Sequence, residues 1–265
     1  RYAGIDTLTN PLPPIVAGNT TAGTASEVTR HCVLTNTQTK VKFVIVSWRN
    51  LPSVSINDPL LMLGKPAPLT AATGMDALTH AVEAYISKDA NPVTDAAAIQ
   101  AIRLIARNLR QAVALGSNLQ ARENMAYASL LAGMAFNNAN LGYVHAMAHQ
   151  LGGLYDMPHG VANAVLLPHV ARYNLIANPE KFADIAEFMG ENIHGLSTMD
   201  AAESAICAIT RLSSDIGIPQ HLSELGVKEA DFPYMAEMAL KDGNAFSNPR
   251  KGNEKEIVAI FRQAF

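Results

Sequence analysis

The sequence predicts an α/β molecule of two parts, in which a short β-rich segment precedes a long and almost wholly helical one. One set of observations for each part of the chain predicts this architecture. Residues 1–64 are punctuated by prolines and contain the apolar, β-branched run Val41–Val46, as expected of strands and loops. From Pro66 onward the sequence is rich in alanine, and its apolar residues recur three and four positions apart, as expected of helices. We therefore assign residues 1–64 to the first part and residues 65–265 to the second.

The helical part divides at recognisable breaks. Periodicity predicts helices over residues 69–86, 94–115 and 119–136. The pair Asn91-Pro92 is expected to end one helix, and Gly116 is expected to end the next. Asn253 and Glu256 have the spacing of a capping box, which predicts the start of the last helix.

Composition excludes several classes of function. Hydrophobic residues make up 49% of the 265 positions and charged residues 16%, so the chain is not of the disordered type. The net charge is -3 and no run of Lys or Arg occurs, so nucleic acid is not an expected partner. Apolar stretches are interrupted before they reach membrane-spanning length. Cys32 and Cys207 lie far apart without ligand-like spacing, and we expect reduced thiols in a cytoplasmic protein.

A first candidate metal pair lies in the first predicted helix. Asp76 and His80 are four residues apart, so they project from one helix face. Such a pair is usually a surface or capping interaction. Here the neighbours are apolar, and a carboxylate buried among them needs a partner or a cation. The pattern therefore favours a metal ligand pair.

A second cluster follows in residues 142–169. His145 and His149 are again four apart, and His159 follows a glycine-rich segment and Pro158, which predicts a turn and a new helix. The turn would bring His159 back beside His145. Spacing alone does not decide whether His149 or His159 completes the site. His169 follows Pro168 in an apolar stretch and is interpreted as structural, whereas His31, His194 and His221 belong to no cluster in the sequence.

The stretches 55–83 and 142–162 resemble the two signature segments of the iron-containing (group III) alcohol dehydrogenases, and residues 19–24 and 218–250 are similar to further landmarks of that family. The resemblance is strongest to the bacterial NAD-dependent ethanol dehydrogenases. It implies a dehydroquinate synthase-like fold. In that fold a remnant of an α/β nucleotide-binding domain, with a parallel sheet, is followed by an all-α metal-binding domain.

The resemblance also implies site residues. The family's metal ligands fall on four positions: Asp76, His80, His145 and His159. The ion would be Fe(II), and Zn(II) also suits one carboxylate and three imidazoles. His149 would lie near the nicotinamide and the substrate. It is our candidate catalytic residue, relaying a proton to solvent, since imidazole exchanges protons near neutral pH.

Cofactor contacts are implied in the first part of the chain. The loop of residues 20–24 is small and polar and contains a glycine, which suits phosphate or ribose, although a surface turn is the ordinary interpretation of such a loop. The resemblance places NAD contacts on the following residues, with His149: Thr20, Thr21, Thr24, Thr29, Lys42, Leu61 and Gly64. No glycine-rich pyrophosphate loop precedes Thr20. We therefore expect that the first strands of the nucleotide-binding domain are missing and that residues 1–64 need a partner segment.

The function implied is transfer of a hydride between a small primary alcohol, ethanol-like, and NAD, which yields the aldehyde. A homodimer is expected. Related activities on the same fold stay open, namely a lactaldehyde reductase acting on 1,2-diols, a glycerol dehydrogenase or a dehydroquinate synthase. Phe136, Asn140 and Tyr143 are expected to line the pocket and to decide among them. An inactive metal-binding fragment is the more distant alternative.

Overall fold

The computed structural model describes residues 2–38 and 41–265, apart from the side chains at positions 41 and 42. The first part of the chain contributes the strands β1 (Gly4–Ile5), β2 (Val16–Gly18), β3 (His31–Asn36), β4 (Val41–Val46) and β5 (Val54–Ile56). The second contributes the helices α1 (Ala67–Ile86), α2 (Pro92–Ala114), α3 (Leu119–Ala139), α4 (Tyr143–Tyr155), α5 (His159–Leu175), α6 (Pro179–Phe188), α7 (Thr198–Asp215), α8 (Phe232–Lys241) and α9 (Glu254–Gln263). This confirms the predicted fold class.

The strands form two small sheets rather than one parallel sheet. β4 pairs parallel to β1 but antiparallel to β3, and β2 pairs parallel to β5. The expectation of a parallel sheet is therefore wrong for β3 and β4. Only four residues join Asn36 to Val41, and a parallel pair needs a crossover of about a dozen residues or more.

Helix boundaries follow local chemistry. The Asn253 side chain accepts from Glu256 N and the Glu256 side chain accepts from Asn253 N, which confirms the predicted capping box of α9. The prediction that Asn91-Pro92 ends a helix is wrong. α1 already ends at Ile86, and Asn91 instead caps the N-terminus of α2, with Pro92 as its first residue. Proline suits that position because the missing N–H would have no partner inside the helix.

Helix α1 is the centre of the helical part, with nearly every residue from Thr70 to Ile86 buried. Small residues let other helices approach it closely. A Cβ added to Gly74 would lie 2.3 Å from the Leu109 side chain of α2, and one added to Gly160 of α5 would lie 2.3 Å from Ala72 O. Close packing on several sides fixes the side chains of α1 in place.

The loop of residues 20–30 joins the two parts. Ala22 and Ala25 belong to the same hydrophobic core as the helices. Arg30 N donates to Asn137 Oδ1 of α3 at 3.0 Å. Both cysteines are free thiols. Among the described residues, none of the helices combines the length and the apolar content needed to cross a bilayer.

Candidate active site

Three helices bring one potential ligand each to a common point. Asp76 lies in the middle of α1, His145 in the first turn of α4, and His159 begins α5. One ligand atom from each lies within 4.8 Å of the other two. The chain reverses at Asp156, which adopts φ 51° between α4 and α5. The glycine-rich segment, expected to form this turn, instead lies inside α4, because Gly152 and Gly153 continue that helix to Tyr155.

The Asn163 amide lies between these three ligand atoms. Its Nδ2 is 2.7 Å from Asp76 Oδ1 and 3.1 Å from the Nε2 atoms of His145 and His159. An amide nitrogen has two hydrogens, so it cannot satisfy three acceptors fully. Convergence of one carboxylate oxygen and two imidazole nitrogens on one positively polarised group is the arrangement that a divalent ion satisfies. The residues therefore fit an iron or zinc ion.

Charge states in the cluster favour metal binding. Burial alone would raise the pKa of Asp76, but the neighbouring histidines, above all His80 and His159, hold that pKa well below its ordinary range. Burial lowers the pKa of His80 to about 4 and that of His159 to about 3. The Asp76 carboxylate is thus ionised and the imidazoles of His80 and His159 are neutral, which are the forms that coordinate metals.

His80, the fourth predicted ligand, lies next to this group rather than within it. Its Nε2 is 3.9 Å from Asp76 Oδ1. Its Nδ1 is 3.2 Å from Gly23 O, and its ring stacks on Phe136 and on His145 with centroids 4.3 and 4.6 Å apart. The loop of residues 20–30 therefore fixes the ring of His80 at the edge of the cluster.

Glu83 holds His145, a contact that the sequence analysis missed. His145 Nδ1 donates to Glu83 Oε2 at 2.6 Å, and Val144 N donates to Glu83 Oε1 at 2.7 Å. Burial opposes charge on His145, yet the carboxylates of Asp76 and Glu83 outweigh it and raise the pKa to about 9. The signal was available, because Glu83 follows Asp76 by seven residues and lies on the same face of α1.

His149 lies beside the cluster. Its Nδ1 donates to Asp242 Oδ2 at 2.8 Å, and its ring stacks on His159 with centroids 5.6 Å apart. Among the described residues it is not a member of the three-ligand group. The helix spacing that made His145 and His149 equal candidates in the sequence gives them different partners in the structure.

All five candidate histidine and aspartate residues open into one cavity of about 280 Å³. Of the residues expected on its cofactor side, Thr24 and Thr29 line it, whereas Thr20, Thr21, Leu61 and Gly64 are not among its described lining residues. The side chain of Lys42 is outside the described residues.

Of the three residues expected to line the pocket, only Phe136 is among the described lining residues. Asn140 Nδ2 instead donates to Asp89 at 2.7 Å, and Tyr143 Oη accepts from Gly252 N at 2.8 Å. Neither is among the described residues that line the cavity, because the cap of α3 and the start of α4 direct them elsewhere.

The prediction that His31 belongs to no cluster is wrong. It begins β3, lines the cavity and lies 5.6 Å from the Phe136 ring. Burial, followed by Arg30 and His145, lowers the pKa of His31 to about 4, so its imidazole is neutral. Sequence spacing could not show this, because His31 is brought to the cavity by the pairing of β3 with β4.

Comparison with known proteins identifies the family of the chain. Residues 1–59 match the family described as iron-containing alcohol dehydrogenase, and residues 70–265 match the Fe-containing alcohol dehydrogenase family, C-terminal. The chain is 95% identical over 264 residues to the 1,3-propanediol dehydrogenase of Citrobacter freundii, a match covering 100% of this chain and 68% of that protein. It is 51% identical over 263 residues to the NAD-dependent methanol dehydrogenase of Bacillus methanolicus, covering 99% and 69% respectively.

Solved structures give the same result. The crystal structure of a 1,3-propanediol oxidoreductase matches with a TM-score of 0.98 at 93% identity, covering 100% of this chain and 69% of that one. The predicted enzyme class, an NAD-dependent alcohol dehydrogenase of the iron type with iron and NAD as cofactors, is confirmed for the family. The chain belongs to the iron-containing alcohol dehydrogenase family.

Proposed function

We propose that this chain catalyses, with NAD, the interconversion of a small diol of the 1,3-propanediol type and its hydroxyaldehyde. The observation that carries the proposal is the cavity. The proposed metal ligands line one part of it, and threonines and other polar side chains line the rest. The name of the Citrobacter relative at 95% identity supports the diol over the ethanol-like alcohol expected from the sequence. The polar lining residues Thr35, Asn244 and His31 supply hydrogen-bonding groups for a second hydroxyl.

In this proposal Asp76, His145 and His159 hold the metal, and His80 is the fourth ligand from the edge of the cluster. When bound, the metal supplies Lewis-acid chemistry that favours the alkoxide form of the alcohol. Glu83 accepts a hydrogen bond from Nδ1 of His145, so the Nε2 atom of that ring faces Asp76 and Asn163. A carboxylate behind a metal-binding histidine fixes its tautomer and raises its basicity.

The proposed proton acceptor is His149. This residue is 7% exposed and lines the cavity beside His159, but its Nδ1 is already bonded to Asp242. Nε2 is then the nitrogen left for the substrate hydroxyl. Apolar lining residues such as Phe136, Val33 and Leu141 limit water around the reacting carbon.

NAD, which accepts the hydride, is proposed to enter from the side of the strands. Thr24 and Thr29 already line the cavity there. We propose the remaining contacts as in the sequence analysis: Thr20, Thr21, Lys42, Leu61 and Gly64. The division of the chain near residue 64 is proposed as the boundary between the cofactor and metal sides. One family match ends at residue 59 and the other begins at residue 70, which supports this boundary. A homodimer also stays a proposal.

Steady-state kinetics test the function. The metal-loaded protein would be assayed for NADH formation with 1,3-propanediol, 1,2-propanediol, glycerol and ethanol. We expect the highest kcat/KM with 1,3-propanediol and a loss of turnover after chelation that Fe(II) restores. A preference for 1,2-propanediol would instead indicate a lactaldehyde reductase, and a preference for glycerol would indicate a glycerol dehydrogenase. Metal binding without binding of NADH, measured by nicotinamide fluorescence, would identify a non-catalytic metal-binding chain.

A further inference from the structure

The two histidines on the inner face of α4 are held in the same way by different carboxylates. Glu83 of α1 accepts from His145 Nδ1 at 2.6 Å, and Asp242 accepts from His149 Nδ1 at 2.8 Å. Both rings therefore direct Nε2 away from their carboxylate. For His145 this atom faces the metal cluster. For His149, the direction of Nε2 depends on Asp242.

Asp242 is itself fixed by the chain that follows it. It ends α8, and its Oδ1 accepts from both Asn244 N at 2.9 Å and Asn244 Nδ2 at 3.0 Å. Asn244 lines the cavity. One oxygen therefore holds the turn of residues 243–247 and the other holds His149. A carboxylate constrained at both oxygens has little freedom to rotate, and it orients its partner ring accordingly.

We infer that Asp242 is a positioning residue, which keeps His149 in the tautomer with the proton on Nδ1 and leaves Nε2 free to accept a proton from the substrate hydroxyl. The inference rests on the proposed function of His149. Among the described residues, the side chain of Asp242 is hydrogen-bonded to His149 and Asn244 and to none of the three clustered ligands, so we expect its effect to be separable from metal binding.

The first experiment measures the tautomer. In zinc-loaded protein, which is diamagnetic, long-range ¹H–¹⁵N spectra of the imidazoles report which nitrogen of His149 carries the proton, and the signal is assigned by its loss in His149→Gln. We expect Nδ1–H in the native protein. In Asp242→Asn, Oδ1 can still accept from Asn244, whereas the introduced amide donates to Nδ1 and moves the proton to Nε2. An unchanged tautomer in this variant overturns the inference.

Asp231→Asn is the matched control. Asp231 also accepts a hydrogen bond from a side chain of α4, the Tyr155 hydroxyl, but it is not among the described residues that line the cavity. This variant should leave the His149 spectrum and kcat unchanged. Both variants should retain a full equivalent of metal, and loss of metal from Asp242→Asn alone would also overturn the inference.

The second experiment is a double-mutant cycle on kcat. Asp242→Asn should lower kcat by about tenfold or more with little change in KM, since partners of this kind typically contribute 10- to 100-fold. In a His149→Ala background the same change should cost less than about twofold. An equal loss in both backgrounds overturns the positioning role. If His149→Ala is fully active, the proposed proton acceptor fails, while the tautomer spectra still decide whether Asp242 positions the ring.

Discussion

Two buried carboxylates, Asp76 and Glu27, show how strongly the surroundings of a side chain change its pKa. Asp76 has histidines around it and ionises readily, as described above. Glu27 is 1% exposed, and both of its carboxylate oxygens are buried without a hydrogen-bond partner among the described residues. Burial raises the pKa of Glu27 above its ordinary value of 4.5. The carboxylate of Asp76 therefore suits a cation, whereas that of Glu27 lowers the stability of the folded protein.

We predict that Glu27→Gln stabilises the protein at neutral pH. A folded-state pKa above the unfolded one means that stability is highest below about pH 4.5 and is lost as the pH rises through the folded pKa. Removing the charge should add about 1 kcal/mol at pH 8, or about 2–4 °C in Tm. Calorimetry at pH 8 and pH 4.5 should show the gain shrinking at the lower pH. The exposed Glu237→Gln serves as control, and a lower Tm for Glu27→Gln would contradict the prediction.

A second prediction separates the two histidines of α4. His145→Ala should empty the metal site, because it removes a buried ligand and leaves Glu83 without its partner. His149→Ala should retain the metal and lower kcat by about 100-fold, a typical contribution of general acid–base catalysis. Metal analysis and turnover of the two purified proteins check this. Should His149→Ala lose its metal while His159→Ala keeps it, the two residues exchange roles.

The proximity of two side chains was predictable from the sequence where one helix carries both, as for Asp76 and His80. It was not predictable where partners come from distant segments. His145 and His149 could be told apart only by their carboxylates, which lie 62 residues before one and 93 after the other. His31 reaches the cavity through strand pairing, and no local pattern indicates it.

At the scale of the elements, the approach of α1 and α5 depends on Gly160. We predict that Gly160→Ala destabilises the protein by about 1–3 kcal/mol or more, because its methyl group would lie 2.3 Å from the backbone oxygen of Ala72. Metal affinity should fall as well, since His159 is the adjacent residue. Gly18→Ala, whose methyl meets nothing within 4 Å, is the control. Equal Tm values for the two variants would contradict the prediction.

The contact between α1 and the start of α4 gives another prediction. Glu83→Gln keeps the shape of the side chain but loses the charge that holds His145 Nδ1. We expect metal affinity to fall by about 10- to 100-fold, as for other groups behind metal-binding histidines. Competition with a chelator of known affinity measures it. Asp184→Asn, which alters a carboxylate bonded to Tyr85 of the same helix, should have no effect, and an unchanged affinity in Glu83→Gln would remove the proposed role.

Helices were more predictable than connections. The period of α2 is visible because that helix buries one face. Helix α1 is buried on nearly all sides, and its end at Ile86 has no glycine or proline signal. The predicted direction of pairing between β3 and β4 was wrong because it was inferred from the resemblance. The short link between these strands allows only an antiparallel pair.

For the whole molecule, we predict that residues 65–265 fold and bind metal without residues 1–64 but bind no NADH. The ligands all lie on helices, whereas Ala22 and Ala25 of the removed segment belong to the helical core. Circular dichroism, metal content and nicotinamide fluorescence of the shortened chain test this. A lower Tm is expected. If the shortened chain lacks helical structure, the loop of residues 20–30 is an obligatory part of the core.

The position of Asn163 has a consequence for the whole protein. Its amide nitrogen lies within hydrogen-bond distance of Asp76, His145 and His159, so an ion that binds between these three ligands must displace a buried side chain. Metal binding then replaces a neutral hydrogen-bonding amide with an ion, in a scaffold that is already folded. The amide must therefore turn away before an ion can take its place between the three ligand atoms.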